Sequence, residues 1–152
     1  MRWLLGDVAS LWASIAQSGE LDLDVEDVAE IGLQFTNGVI GSVHLDYLQR
    51  PPVHNLEIIG AQGTLRWDNA DGAVSIYRAS SGKWETYPTP PGFERNHLFQ
   101  AEMKHFLEVI RGDAEPLCTL EDGLAALELA LAAHRSAKSG QIQRWEVEAN
   151  VS

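Results

Sequence analysis

Residues 27–52 read DVAEIGLQFTNGVIGSVHLDYLQRPP. Two runs of alternating apolar and polar residues meet at Thr36-Asn37-Gly38, the pattern of a β-hairpin. The length of the loop decides the faces. A two-residue Asn37-Gly38 turn pairs Phe35 with Ile40, Leu33 with Ser42 and Ile31 with His44, which mixes apolar and polar side chains on both sides. A three-residue Thr36-Asn37-Gly38 loop, with Gly38 in the left-handed region, pairs Phe35 with Val39, Leu33 with Gly41, Ile31 with Val43 and Ala29 with Leu45. One face is then uniformly apolar, and the other sets Val28, Glu30, Gly32 and Gln34 against Ile40, Ser42, His44 and Asp46. Because a slip of one residue exchanges the faces of a strand, burial selects the three-residue loop. The expectation is a sheet with helices on one side and a mixed side open to a substrate, a partner or a second subunit.

Outward from this hairpin the chain keeps to short elements. Residues 1–6 (MRWLLG) have the pattern of the end of an amphipathic helix stopped by Gly6, and a helix that starts in mid-pattern points to a chain cut from something longer. Residues 8–16 alternate as a strand, with Leu11, Ala13 and Ile15 on one side and Ser10, Trp12 and Ser14 on the other. The acidic residues 20–27 lack the spacing of a calcium loop and form a connection. Pro51-Pro52 ends the hairpin, since proline donates nothing to a ladder. Segments 53–59, 64–67, 73–78 and 83–87, separated by Gly60-Ala61-Gln62-Gly63, Asp71-Gly72 and Ser81-Gly82, read as an antiparallel meander. Residues 94–111 have helical period, with Phe99, Met103, Phe106, Leu107 and Ile110 on one side and Gly112 as the stop. Thr119-Leu120-Glu121-Asp122 resembles a capping box opening a helix to Ser139, expected to bury Leu120, Leu124, Leu127 and Leu131. Residues 141–147 return as an edge strand, and the last five residues fray.

Composition bounds the function. At 152 residues and 45% hydrophobic the chain is about one globular domain. Eleven basic against 22 acidic residues give a net charge of -11, which disfavours nucleic acids and anionic membranes as partners. No stretch approaches the ~20 apolar residues of a membrane span, and the amino terminus lacks a signal peptide's pattern, so a cytoplasmic location is expected. The lone Cys118 forms no internal disulfide and reads as a small buried residue before a helix.

Three constellations carry chemistry. Glu94 with His97 and Glu102 with His105 have the Glu-x-x-His spacing of di-metal bundles, but two long helices supply too few carboxylates, so a solvated helix face is the favoured reading and no metal is assigned. Glu30, His44 and Asp46 share the mixed face, with Glu30 opposite His44. A carboxylate there raises an imidazole's pKa for proton transfer, or simply makes a cross-strand ion pair, the favoured reading. Tyr47, Gln49 and Arg50 follow at the strand end, where a pocket rim fits. The glycine pair at 60 and 63 is a turn, as no G-x-G-x-x-G occurs.

Taken together, RWLLG, DVEDVAEIGLQFTNGVIGSVHLDYLQRPP, LEIIGAQGTLRWD and ERNHLFQAEMKHFLEVIRGDAEPLCTLEDGLAALELALAAHRSAKSGQ resemble the carboxy-terminal domain of the Gfo/Idh/MocA dehydrogenases, the glucose-fructose oxidoreductase, inositol dehydrogenase and rhizopine-catabolism group. The resemblance implies an α+β domain: an open, mostly antiparallel sheet with helices on one face, spanning residues 1–152 as a single domain. It implies a domain that shapes a pocket for a sugar, cyclitol or related polyol and builds subunit contacts through its sheet. In the family a preceding Rossmann domain holds NAD or NADP and carries the Glu-Lys-Pro segment. Of the family's catalytic helix, D-x-x-x-H-x-x-D ending in W-L-x-G, only Trp3, Leu4 and Gly6 have counterparts here. The resemblance therefore places no catalytic or cofactor-binding residue in this chain, and implies that it is inactive alone. Asp46, Tyr47, Gln49, Arg50, Arg95 and Asn96 are the implied substrate-binding positions, and Glu30, Gln34, Ile40, Ser42 and His44 the implied interface of a homo-oligomer. The alternative is a stand-alone dimerisation or small-molecule-binding module without catalysis.

Overall fold

A computed structural model describes residues 1–145. It divides into two compact units, one formed by Met1–Leu48 with the described part of Cys118–Ser152, the other by Gln49–Leu117. All strand pairings among the described residues are antiparallel, and the class is α+β.

In the first unit, helix α1 (Arg2–Leu5) leads through Gly6 into strand β1 (Val8–Ala16), followed by β2 (Val28–Phe35) and β3 (Ile40–Asp46). The β2–β3 register is the one the three-residue loop requires: Leu33 faces Gly41, Ile31 faces Val43 and Glu30 faces His44. The Phe35 amide donates to the Val39 carbonyl at 2.8 Å, and Gly38 closes the loop with φ 86°, a conformation that costs a side-chain-bearing residue about 1 kcal/mol or more. The loop is docked as well as closed, since Asn37 Nδ2 donates to the Leu5 carbonyl and the Thr36 amide to that of Asp7.

Helix α3 (Leu120–Ser139) opens with the expected capping box: the Thr119 hydroxyl accepts from the Asp122 amide, and the Asp122 carboxylate accepts from the Thr119 amide. Arg2 reaches from α1 to this carboxylate at 3.4 Å and to Asp7 at 2.6 Å. The core joins Val8, Leu11, Ala13, Leu33 and Phe35 to Ala132 and Ala133 of α3.

The helix does not seat where its leucines predict. Leu120 is 85% exposed and Leu131 50%, with Leu124 and Leu127 between these values, whereas Ala132, Ala133 and Ser136 are buried. Both sets have helical spacing. Small side chains let the helix axis approach the sheet closely, so the backbone of β1 meets the alanine and serine stripe and the leucine stripe turns outward. Ser136 completes the contact. Its Oγ accepts from the Ala13 amide at 3.0 Å and donates to the Gln141 carbonyl at 2.8 Å. The last strand, β8 (Gln143–Arg144), pairs with β1 at Leu11–Gln143, and two residues further along that register Ala13 falls opposite Gln141. The hydroxyl is thus inserted into the ladder where β8 diverges from β1. Of the expected strand 141–147, residues 141–142 stay outside the ladder, the Trp145 amide continues it by donating to the Ala9 carbonyl, and residues 146–152 lie outside the described residues.

The second unit holds β4 (Asn55–Gly60), β5 (Gly63–Asp68), β6 (Val74–Arg78) and β7 (Lys83–Tyr87) as a meander, followed by α2 (Asn96–Arg111). The sheet strands therefore form two four-stranded sheets, β3-β2-β1-β8 and β4-β5-β6-β7, where the sequence pattern predicts one. Residues 47–54, which contain both prolines, form no strand and leave β3 and β4 each at an edge. Helix α2 buries none of its residues, and its Phe99, Met103, Phe106 and Ile110 are exposed. Cys118, expected to be buried, is exposed, because it precedes the cap residue rather than the packed turns of α3.

Replacing Ser136 by Ala leaves the Ala13 amide and the Gln141 carbonyl without their common partner, and a buried unsatisfied group costs about 1–3 kcal/mol. In urea unfolding followed by circular dichroism, Ser136→Ala is expected to lower stability by about 2 kcal/mol. Ser139→Ala, at an exposed hydroxyl that donates to the Arg135 carbonyl and accepts from the Gln141 amide, both within reach of water, is expected to change it by about 0.5 kcal/mol or less.

Candidate functional site

Successive side chains of a strand alternate, so the face of the first sheet opposite α3 is set by the register alone. It presents four rows: Arg144, Ser10, Gln34 and Ile40; Trp12, Gly32 and Ser42; Ser14, Glu30 and His44; Ala16, Val28 and Asp46. Ile40 is 80% exposed and Trp12 46%. Trp12 thus stands on the open face, at a position the alternation of residues 8–16 already marks. The Ser10 hydroxyl and Gln34 Oε1 lie 3.4 Å apart across the first row.

The ionic groups gather at one end of this face. His44 Nδ1 is 2.6 Å from Glu30 Oε1, and its Nε2 is 2.9 Å from Asp46 Oδ2. Asp46 has the least exposed side chain of the three, at 11%, and its Oδ1 accepts from the Leu48 amide at 2.7 Å. With a carboxylate at each ring nitrogen, His44 is held above its usual titration range, first by the hydrogen bond to Asp46 and then by that to Glu30. Behind the row, Asp27 is buried and ties the β1–β2 connection: its carboxylate accepts from the Ser18 amide and hydroxyl, and its carbonyl accepts from the Tyr47 amide. The Ser18 hydroxyl and amide hold Asp27 below the usual carboxylate range. Nothing in the local sequence pattern marks this clamp.

The six implied substrate positions fall in both units. Asp46 and Tyr47 belong to the first, at the end of β3, with Tyr47 exposed. Gln49, Arg50, Arg95 and Asn96 belong to the second. Arg50 Nη1 donates to the Gln49 carbonyl, Arg95 occupies the cap position of α2, and Asn96 is its first residue. Asn96 also begins a shallow concavity lined by Phe99, Gln100, Met103, Leu107 and Arg111, all on the one helix. Of the five implied interface residues, Glu30 and His44 are joined directly, and Gln34, Ile40 and Ser42 share their face.

The two Glu-x-x-His pairs are engaged structurally. His97 Nδ1 accepts from the Glu94 amide and His105 Nε2 from the Leu117 amide. The glycines at 60 and 63 flank a two-residue hairpin turn, and a side chain at Gly63 would strike the Tyr77 carbonyl. The described residues therefore do not fit a dinucleotide: no strand runs into a glycine-rich helix start, and every ladder is antiparallel.

An antiparallel layer covered by a helix on one side and open on the other, with an ionic row at a strand end, defines an open-faced α+β domain. Over residues 1–147 the sequence matches the model of the oxidoreductase family's C-terminal alpha/beta domain, and the chain belongs to this Gfo/Idh/MocA family. It is similar to a 1,5-anhydro-D-fructose reductase from Ensifer adhaerens, with 27% identity over 96% of this chain and 44% of that protein. Among solved structures it is similar to an oxidoreductase from Agrobacterium radiobacter in complex with NAD+, L-tartaric acid and magnesium, with 24% identity, a TM-score of 0.78, and coverage of 94% of this chain and 45% of that one. It is also similar to the WlbA dehydrogenase from Bordetella pertussis in complex with NADH and UDP-GlcNAcA, with 24% identity, a TM-score of 0.72, and coverage of 97% and 41%. The chain spans less than half the length of these relatives.

The clamp on His44 has a sign. A raised folded-state pKa contributes stability that is complete below the unfolded value of about 6.5 and lost as pH rises through the folded value. In an NMR titration the His44 ring is expected to titrate above 6.5, with Asp46→Asn lowering its midpoint more than Glu30→Gln does. A midpoint at or below 6.5 in the unaltered protein would contradict the two-sided clamp.

Proposed function

We propose that this chain is the substrate-binding and oligomerisation domain of an NAD(P)-dependent oxidoreductase acting on a sugar, cyclitol or related polyol, with the nicotinamide cofactor held by a separate Rossmann domain. Family membership supports the redox assignment, and the relatives support the substrate class: one is a reductase of an anhydro sugar, another is bound to NADH and a nucleotide sugar acid. One observation carries the assembly role. The sheet is sealed by α3 on one face, while on the other Trp12 and Ile40 stay exposed. On a chain of net charge -11, two copies repel least where their facing surfaces carry the fewest charges. For the substrate role the resemblance supplies the positions: Asp46 and Tyr47 in the first unit, and Gln49, Arg50, Arg95 and Asn96 in the second, are residue types that hydrogen-bond to hydroxyl groups. The outward leucines of α3 form an apolar surface of the kind that marks a protein contact, which supports a domain that works beside another.

Sedimentation equilibrium tests the assembly role. The chain is expected to form a homo-oligomer, and Ile40→Asp, which puts a charge at an 80% exposed position, is expected to weaken association at least about tenfold without loss of secondary structure. A strictly monomeric chain at all accessible concentrations would remove this part of the reading. For the division of labour, a calorimetric titration with NADH is expected to give no saturable heat, and specific binding would overturn it.

A further inference from the structure

The Glu30, His44 and Asp46 row lies on the face just assigned to assembly, one row from Trp12 and two from Ile40. We infer that this row is a proton-operated gate on the pairing of that face with a second copy of the chain, an inference that rests on the pairing proposed above.

The argument is one of donors and charge. Both ring nitrogens of His44 lie within hydrogen-bond distance of carboxylate oxygens, at 2.6 and 2.9 Å. Carboxylates only accept, so both contacts are hydrogen bonds only when both nitrogens carry protons. The neutral ring has one donor and one lone pair, and one of the two carboxylates then faces that lone pair. The closed row is built for the imidazolium. Protonated, the row carries one net negative charge; neutral, it carries two, and one carboxylate no longer receives a hydrogen bond from the ring. Bringing a second copy over the face removes water from the row, and two net charges resist desolvation more than one.

Among the described residues the register places no cation beside the row. On the same face β1 contributes Ser14 and Ala16 beside the row, and β2 contributes Val28 and Gly32. The Asp27 carboxylate, behind Asp46, adds negative charge that raises the cost of a neutral ring. Helix α3 lies on the opposite face with the core. Among the described residues of this face, Arg144 shares the first row with Ser10, two rows from the ionic row, and His44 is the group whose charge changes near neutrality. Two symmetry-related copies bring two such rows into the interface, and pairing is coupled to the uptake of up to one proton by each.

The experiment is sedimentation equilibrium of the whole chain between pH 6 and pH 9 at fixed ionic strength, with the unaltered protein and His44→Gln. The unaltered protein is expected to associate at pH 6 and to show Kd rising about tenfold or more towards pH 9, the sign set by linkage. His44→Gln, which keeps an amide donor but cannot charge, is expected to have a Kd that changes less than about threefold across the same range. Circular dichroism establishes that both are folded. An oligomer whose Kd is unaffected by pH overturns the gate and leaves pairing in place. An equal pH response in His44→Gln also overturns it, since other groups then carry the effect. A monomer at every pH overturns the gate together with the pairing on which it rests.

Discussion

A single turn sorts this molecule. With Gly38 at a positive φ, the loop from Thr36 to Gly38 brings Phe35 opposite Val39, and from there a two-residue period assigns every side chain of β2 and β3 to a face. Leu33 and Phe35 go to the core with Leu11 of β1, and Glu30 goes to the open side with His44 and Asp46. The alternative register would set His44 and Asp46 on the same face as Leu33 and Phe35, so that burying those apolar side chains would desolvate the ionic ones as well. The hydrophobic and ionic requirements therefore select the same loop, so the two faces reinforce one another's register.

The helix seats by a different rule. Alternation decides which side of a sheet is apolar, but the distance between a helix and a sheet depends on side-chain size. In α3 the two stripes compete, and the small one lies inward because it lets Ser136 reach the edge of β1. A leucine at that position has no oxygen to place between the Ala13 amide and the Gln141 carbonyl. The hydroxyl serves the backbone at the point where a strand pairing gives out, which is why a polar residue is fully buried in an otherwise apolar contact.

These two rules explain what could be read from the sequence. Strand β1, the β2–β3 register, the capping box at Thr119 and the glycine stops at 112 and 140 are fixed by interactions within a few residues, and they appear where their patterns place them. The choice between the stripes of α3 is settled by tertiary distance, which hydrophobicity does not encode, so the leucines were assigned to the wrong side. The single sheet expected from the strand count divides at residues 47–54, where prolines end one ladder without specifying whether the next strand joins it. For the site the same division holds. The ionic row was legible because its members are two residues or one cross-strand pair apart, whereas Arg95 and Asn96 stand at a helix start with no periodic relation to Asp46.

The geometry of the row also bears on what kind of residue His44 is. A general base must present a lone pair to the proton it removes, and a general acid must present its proton to substrate. His44 has a carboxylate at each nitrogen, so in its protonated form both N–H groups are already committed and no lone pair remains. Deprotonation frees one nitrogen, but that nitrogen points at a carboxylate rather than at open space. The imidazole is therefore better placed to set the charge of a surface than to exchange protons with a ligand. Asp46 carries this setting to the end of β3, since one carboxylate oxygen holds His44 and the other holds the Leu48 amide. A change of charge at His44 is thus felt at the backbone of the strand end, where the chain leaves its first unit.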